Sequence, residues 1–67
     1  MDITKKFGQR IKQIRLSKKL SQGKLAKKLN VGAAYISKIE RGTENISLRG
    51  MEKLAKALTV NIDQLLK

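Results

Sequence analysis

The 67-residue chain contains no cysteine, histidine, proline or tryptophan, and Phe7 and Tyr35 are its only aromatic residues. Without cysteine no disulfide can staple a small fold, and without cysteine or histidine the usual zinc ligands are missing, so no metal centre is expected. The same two absences remove the commonest nucleophilic and acid-base groups, and the five Asp/Glu residues fall into no paired hydrolase pattern. The chain is therefore expected to be neither an enzyme nor a cofactor carrier, and no small-molecule ligand is expected. No apolar run approaches the roughly 18 residues that a membrane span needs, and the basic N-terminus is not followed by the apolar stretch of a secretory signal. A cytoplasmic location follows as the expectation, with no membrane partner.

Acid is scarce as well. Sixteen Lys/Arg against five Asp/Glu give a formal charge of +11, and ten of the bases but only one acid precede Val31. Such a lopsided field favours an anionic partner, of which nucleic acid and acidic membrane are the abundant kinds. A basic membrane-surface binder would need one continuous helix with a wide apolar face and interfacial aromatics; two aromatics and several helix interruptions count against it. At less than half of the roughly 150 residues taken as a prior for one domain, residues 1–67 are expected to form a single module. A core this small gains only about 3–5 kcal/mol, which leaves self-association as the remaining source of support.

The chain is expected to be all-α. It shows no strand-like alternation, low-complexity segment or internal repeat, and its apolar residues recur at helical spacing. Ile3, Phe7, Ile11 and Ile14 predict a buried stripe on a first helix over Ile3 to about Lys19, with Asp2 as its N-cap. Ser21 opens a second, short helix with Leu25, Ala26 and Leu29 inward, and Asn30 can take the left-handed conformation that stops it. Ile36 and Ile39 mark a third helix from Ala33 to Arg41, closed by Gly42. Ser47 caps a fourth helix that carries Leu48, Met51, Leu54, Ala55 and Leu58 toward the core. Asn61 with Gln64 three positions on forms a capping-box pattern for a fifth helix bearing Ile62, Leu65 and Leu66. The result is a compact five-helix bundle.

The second and third helices, two to three turns each and joined by Asn30-Val31-Gly32, have the form of a helix-turn-helix over Gln22 to Arg41. In that geometry the first helix crosses the DNA backbone and the second offers its N-terminal residues to the major groove. Ala26 is small enough for the joint, and Val31 and Ile36 can plug the angle.

These residues resemble the phage-repressor-type helix-turn-helix family, also called XRE or Cro/cI-like. The segments that carry the resemblance are Phe7-Gly8, Ile11 and Ile14-Arg15, Leu20-Ser21-Gln22 with Leu25-Ala26, the run Tyr35 to Gly42, Ser47-Leu48, Leu54 to Leu58, and Asn61 to Leu66. They cover nearly the whole chain and are most similar to short standalone regulators, including restriction-modification controller proteins and small phage repressors. The resemblance implies a lambda-repressor-like fold and a transcriptional regulator that binds double-stranded DNA.

Gln22, in the first turn of the second helix, can bond a phosphate with help from the helix N-terminus, and the resemblance implies that contact; the plain alternative is a solvated glutamine. Lys24 stands where relatives often place a capping-box acid. Base reading falls to Ala33, Ala34, Ser37 and Lys38 at the start of the third helix; the two alanines can touch a thymine methyl but cannot hydrogen-bond, so directional contacts rest with Ser37 and Lys38. Lys38 can donate to guanine, or be solvated or phosphate-bound. Tyr35 either reaches a phosphate or packs partly into the core. The resemblance implies that Arg41, Thr43 and Asn45 grip the sugar-phosphate chain, beside an awkward Glu44, and that Arg15 and Glu40 form a structural salt bridge. The lysines at 5, 6, 12, 18, 19, 27 and 28 read as a solvated face that adds long-range attraction.

One helix in one groove reads few base pairs, and relatives pair about a two-fold axis, which implies a homodimer on a pseudo-palindromic operator. Ile62, Leu65 and Leu66 are the expected interface, with packing of the last helix against the first as the alternative. The resemblance leaves repressor and activator both open, the latter through contact with RNA polymerase. A different class of function, an antitoxin-like protein-interaction module with secondary DNA binding, would need an extension beyond Lys67 to cover its partner, and none is expected.

Overall fold

The computed structural model describes residues 3–66, which form α1 (Ile3–Ser17), α2 (Gln22–Leu29), α3 (Ala33–Arg41), α4 (Leu48–Ala57) and α5 (Ile62–Leu66), with no strand among them. The expected Asp2 cap lies outside the described residues. One core joins all five helices: Phe7, Ile11 and Ile14 from α1, Leu25 and Ala26 from α2, Ile36 and Ile39 from α3, Leu54, Ala55 and the capping Leu58 from α4, and Leu65 from α5. The helix starts follow their sequence signals. Ser21 Oγ accepts from Lys24 N at 3.0 Å and Ser47 Oγ from Gly50 N at 3.1 Å, each satisfying one of the orphan donors of a first turn. At α5 the Gln64 side chain accepts from Asn61 N at 2.9 Å, the return half of a capping box.

The stops show more variety. Asn30 (φ 59°) and Gly42 (φ 76°) take the left-handed conformation expected of them, but so do Lys19 (φ 57°) and Thr59 (φ 56°). Lys19 sits just past the end of α1, which stops two residues before the expected boundary, and Leu20 N bonds back to Arg15 O at 3.0 Å. Thr59 follows the same pattern, with Val60 N on Ala55 O at 3.0 Å. In both turns the residue after the left-handed one is apolar and packs on the core, so burial of Leu20 and Val60 holds the two strained residues in place.

Three apolar residues lie elsewhere than their periodicity suggests. Ile3 is 77% exposed and Leu48 64% exposed, because each is the first residue of its helix and overhangs the end of the core. Leu65 is the reverse. Expected at a dimer interface, it is only 1% exposed and completes the core where α5 lies on α1 and α4, with Arg10 Nε donating to Gln64 O at 2.7 Å across the seam. The surplus apolar surface of α5 is Leu66, 57% exposed, with Ile62 half-buried.

The tightest contact in the bundle is that of α1 with α3. Gly8 is buried against the backbone of the last turn of α3; a Cβ there would collide with the Ile39 carbonyl oxygen and stand 2.8 Å from that of Glu40. At Gly23, in the first turn of α2, a Cβ would meet nothing nearer than Ser21 Oγ at 3.9 Å. Gly8→Ala is expected to destabilise the fold by about 2–3 kcal/mol, since backbone rather than side chains must yield. Gly23→Ala is expected to stabilise it by up to about 1 kcal/mol. Urea unfolding of the two variants checks both signs.

Candidate nucleic-acid interface

α2 and α3 meet through Ala26 and Ile36, both buried, across the turn Asn30-Val31-Gly32. Val31 N bonds Ala26 O at 3.0 Å, which fixes the turn, but the Val31 side chain is partly exposed, so Ile36 rather than Val31 fills the angle. Gly32 caps α3 with no side-chain hydrogen bond. Tyr35 N bonds Gly32 O at 3.1 Å, and the N–H groups of the exposed Ala33 and Ala34 are left to outside acceptors.

The rest of α3 is held in place by one buried ion pair. Arg15 Nε donates to Glu40 Oε2 at 2.6 Å and Nη2 to Oε1 at 3.0 Å, while Nη1 donates to Leu20 O at 2.7 Å. Both side chains are under one-tenth exposed. The pair links the end of α1 to the end of α3, as the sequence resemblance implies. A bidentate guanidinium-carboxylate contact fixes direction as well as distance, so α3 is set in rotation as well as position. Gln22 joins the same cluster, its Nε2 donating to Glu40 Oε1 at 3.0 Å, so this residue is no freely solvated glutamine.

Of the other residues singled out from the sequence, Lys38 and Arg41 are exposed and Ser37 half-buried on α3, and Asn45 is exposed in the loop that follows. Thr43 is exposed too, but its hydroxyl donates back to Lys38 O at 3.2 Å and its N–H to the same oxygen at 3.0 Å, so part of its work is to close α3. Tyr35 is half-buried and packs against the core while lining a shallow cleft with Val31, Ser47, Arg49 and Lys53. The reading of Tyr35 as partly packed into the core is the one the fold shows. Glu44 is half-buried and, among the described residues, pairs with no base.

Arg49 escaped the sequence reading. It stands in the first turn of α4, beside the loop of Thr43 and Asn45, and faces the cleft that Tyr35 lines. A base in a first turn opposes the helix macrodipole, and that local mismatch is the signal that marks it. The same bias covers the interface: α2, α3 and α4, like α1, have no acid in their first turns, whereas α5 begins with Asp63 in place. Three helix N-termini thus keep their partial positive charge uncompensated, in a chain of net charge +11. Among the described residues no group of three His, Cys, Asp or Glu could hold a metal ion, and no helix is long and apolar enough to cross a membrane.

The helix-turn-helix family pattern matches residues 11–65, which span α2 and α3 and the helices that brace them. The chain belongs to the helix-turn-helix family. Among relatives of this family, the control protein C.BamHI of Bacillus amyloliquefaciens is 54% identical over 61 residues, covering 90% of this chain and 75% of that protein. The restriction-modification controller protein C.AhdI of Aeromonas hydrophila has a solved structure with a TM-score of 0.89 and 40% identity, covering 92% of this chain and 90% of its own. A third, the biofilm master regulator SinR, was solved in complex with DNA; it gives a TM-score of 0.83 at 42% identity, covering 91% of this chain and 98% of that one. The family's five-helix arrangement, expected from the sequence, is the one observed.

The ion pair sets a further stability test. Arg15→Leu or Glu40→Leu, each leaving a buried charge unpaired, is expected to cost about 3–5 kcal/mol, and the double substitution less than either single one. Chemical denaturation of the three variants measures this, and equal costs for the double and the sum of the singles would show the two side chains to act independently.

Proposed function

We propose that this helix-turn-helix chain is a cytoplasmic, non-enzymatic regulator that binds double-stranded DNA in a sequence-specific way and controls transcription as a homodimer. The single observation that carries the reading is the exposed, uncapped first turn of α3, flanked by two further helix starts from which acid is absent. The existence of a DNA complex for a relative 42% identical supports it. Ser37 and Lys38 supply the directional base contacts, Ala33 and Ala34 the apolar ones, and Gln22, Tyr35, Arg41, Thr43, Asn45 and Arg49 hold the backbone on either side.

The dimer would form about Ile62 and Leu66, without the buried Leu65. Leu66 shares an apolar groove with Ile3, Phe7 and Met51, and exposed apolar surface of this extent on so small a body favours a second copy. Similarity to C.BamHI and C.AhdI supports the role of a restriction-modification controller. Such a dimer, bound upstream of a promoter, could also touch RNA polymerase and activate.

Selection from random oligonucleotides with purified protein should enrich a pseudo-palindrome whose half-sites lie about 34 Å apart, one helical turn; failure to enrich any site would refute the reading. Lys38→Ala should relax preference at one base pair by about 1–3 kcal/mol, and equal weakening on specific and random DNA would remove Lys38 from base reading. In sedimentation at micromolar concentration the wild type should run as a dimer and Leu66→Glu as a monomer; a monomeric wild type, with and without operator, rejects the pairing.

A further inference from the structure

The buried Glu40 has one donor more than its structural role requires. Arg15 binds both of its carboxylate oxygens, and that alone would satisfy the pair; yet Gln22 Nε2, from the first turn of α2, also donates to Oε1 at 3.0 Å. We infer that Glu40 is a positioning residue for DNA binding, acting through Gln22 rather than touching the nucleic acid. The inference rests on the DNA-binding reading above.

The Gln22 amide nitrogen carries two hydrogens. The bond to Glu40 uses one and fixes the plane of the amide, so that the second is directed by the protein instead of by solvent. Beside it, the N–H groups that open α2 have no partner within the helix, and the first turn holds no acid. The fixed side-chain N–H and the free backbone N–H groups together make a notch for one phosphate. A solvated glutamine would have to give up its rotamer freedom on gripping that phosphate; here the freedom is already lost in the unbound protein. The anionic acceptor behind the amide does little to repel phosphate, because the Arg15 guanidinium neutralises it in the same buried cluster. No rival claims the amide from the start of α3, where Ala33 and Ala34 carry no polar atoms in their side chains.

The test is a double-mutant cycle on DNA affinity with Q22M and E40M, each of which keeps the length of the side chain and loses its hydrogen bonds. E40Q would not serve, because Arg15 Nη2 and Gln22 Nε2 both donate to Oε1 and would hold the amide oxygen there. In E40M no acceptor faces Gln22, and its amide is freed. Binding is measured on the selected operator at low temperature, with the folded fraction of each variant taken from circular dichroism. Each single variant should bind about tenfold more weakly and lower the slope of log affinity against log salt by about 0.9, the value of one lost phosphate contact. The double variant should also lose about tenfold rather than a hundredfold. The sign is diagnostic, since E40M removes one negative charge and simple electrostatics would raise affinity.

An additive, hundredfold loss in the double variant, or an E40M that binds as well as wild type, overturns the inference. Should E40M fail to fold, the wild type decides by relaxation of its side-chain amides. Gln22 Nε2 should be ordered in the free protein, with an order parameter near the roughly 0.85 of rigid backbone, while the exposed Gln9 and Gln13 fall below about 0.6. A Gln22 as mobile as those two overturns it. If Q22M binds like wild type while S37A and K38A weaken binding, the positioning role fails and the DNA reading stands; if no form of the protein binds DNA, both fall.

Discussion

The fold and the interface both depend on the buried contact between Arg15 and Glu40. Placing two charges away from water is costly, and an ion pair of this kind is a poor source of net stability compared with apolar residues of the same size. Its return is directional. Two parallel hydrogen bonds from a planar guanidinium tolerate little rotation, so the pair fixes how α3 is turned about its own axis, which the greasy contacts of Ile36 and Ile39 would leave loose. A helix that must offer one particular edge to a partner gains more from that than from another leucine.

The uneven distribution of acid serves the same end. Helix N-termini ordinarily attract Asp or Glu, and each such residue would strengthen this small fold by a fraction of a kcal/mol, about 0.3–1. In α2, α3 and α4 that gain is forgone, and Lys24 and Arg49 stand where it could have been taken. α5 keeps its Asp63. In α2, α3 and α4 the local stability surrendered in this way is of a kind that an outside anion can replace.

Much of this was legible from residue types alone. Caps at Ser21 and Ser47 and stops at Asn30 and Gly42 have side-chain or backbone reasons that act within a few residues, and the structure shows all four. The buried pair was foreseeable only through family resemblance, because no local signal links residues 25 positions apart. The misplaced readings have a common cause. Lys19 and Thr59 adopt left-handed backbone that their types disfavour, since the next residue gains by burial. Ile3, Leu48 and Leu65 differ in exposure although all lie on apolar faces, because coverage depends on which other helix ends nearby. Periodicity says which side of a helix is apolar; it does not say where the neighbouring helix runs out. The bond of Gln22 to Glu40 belongs to the same class, a meeting set by the crossing of α2 and α3 that neither sequence segment announces.

α1 supplies none of the proposed DNA contacts, yet it carries Arg10, which ties down α5, and Arg15, which ties down α3. The two anchors are five residues apart on one rigid rod, about 7.5 Å along its axis. The helix that would read a groove and the helix that would pair with a second copy are therefore set on a common beam, and the span between two reading heads is gauged by a segment that supplies none of the proposed DNA contacts. Lengthening that beam by a single residue between its anchors would swing one fixture about 100° relative to the other. Operator spacing is on this account a property inherited from an element outside the proposed reading surface.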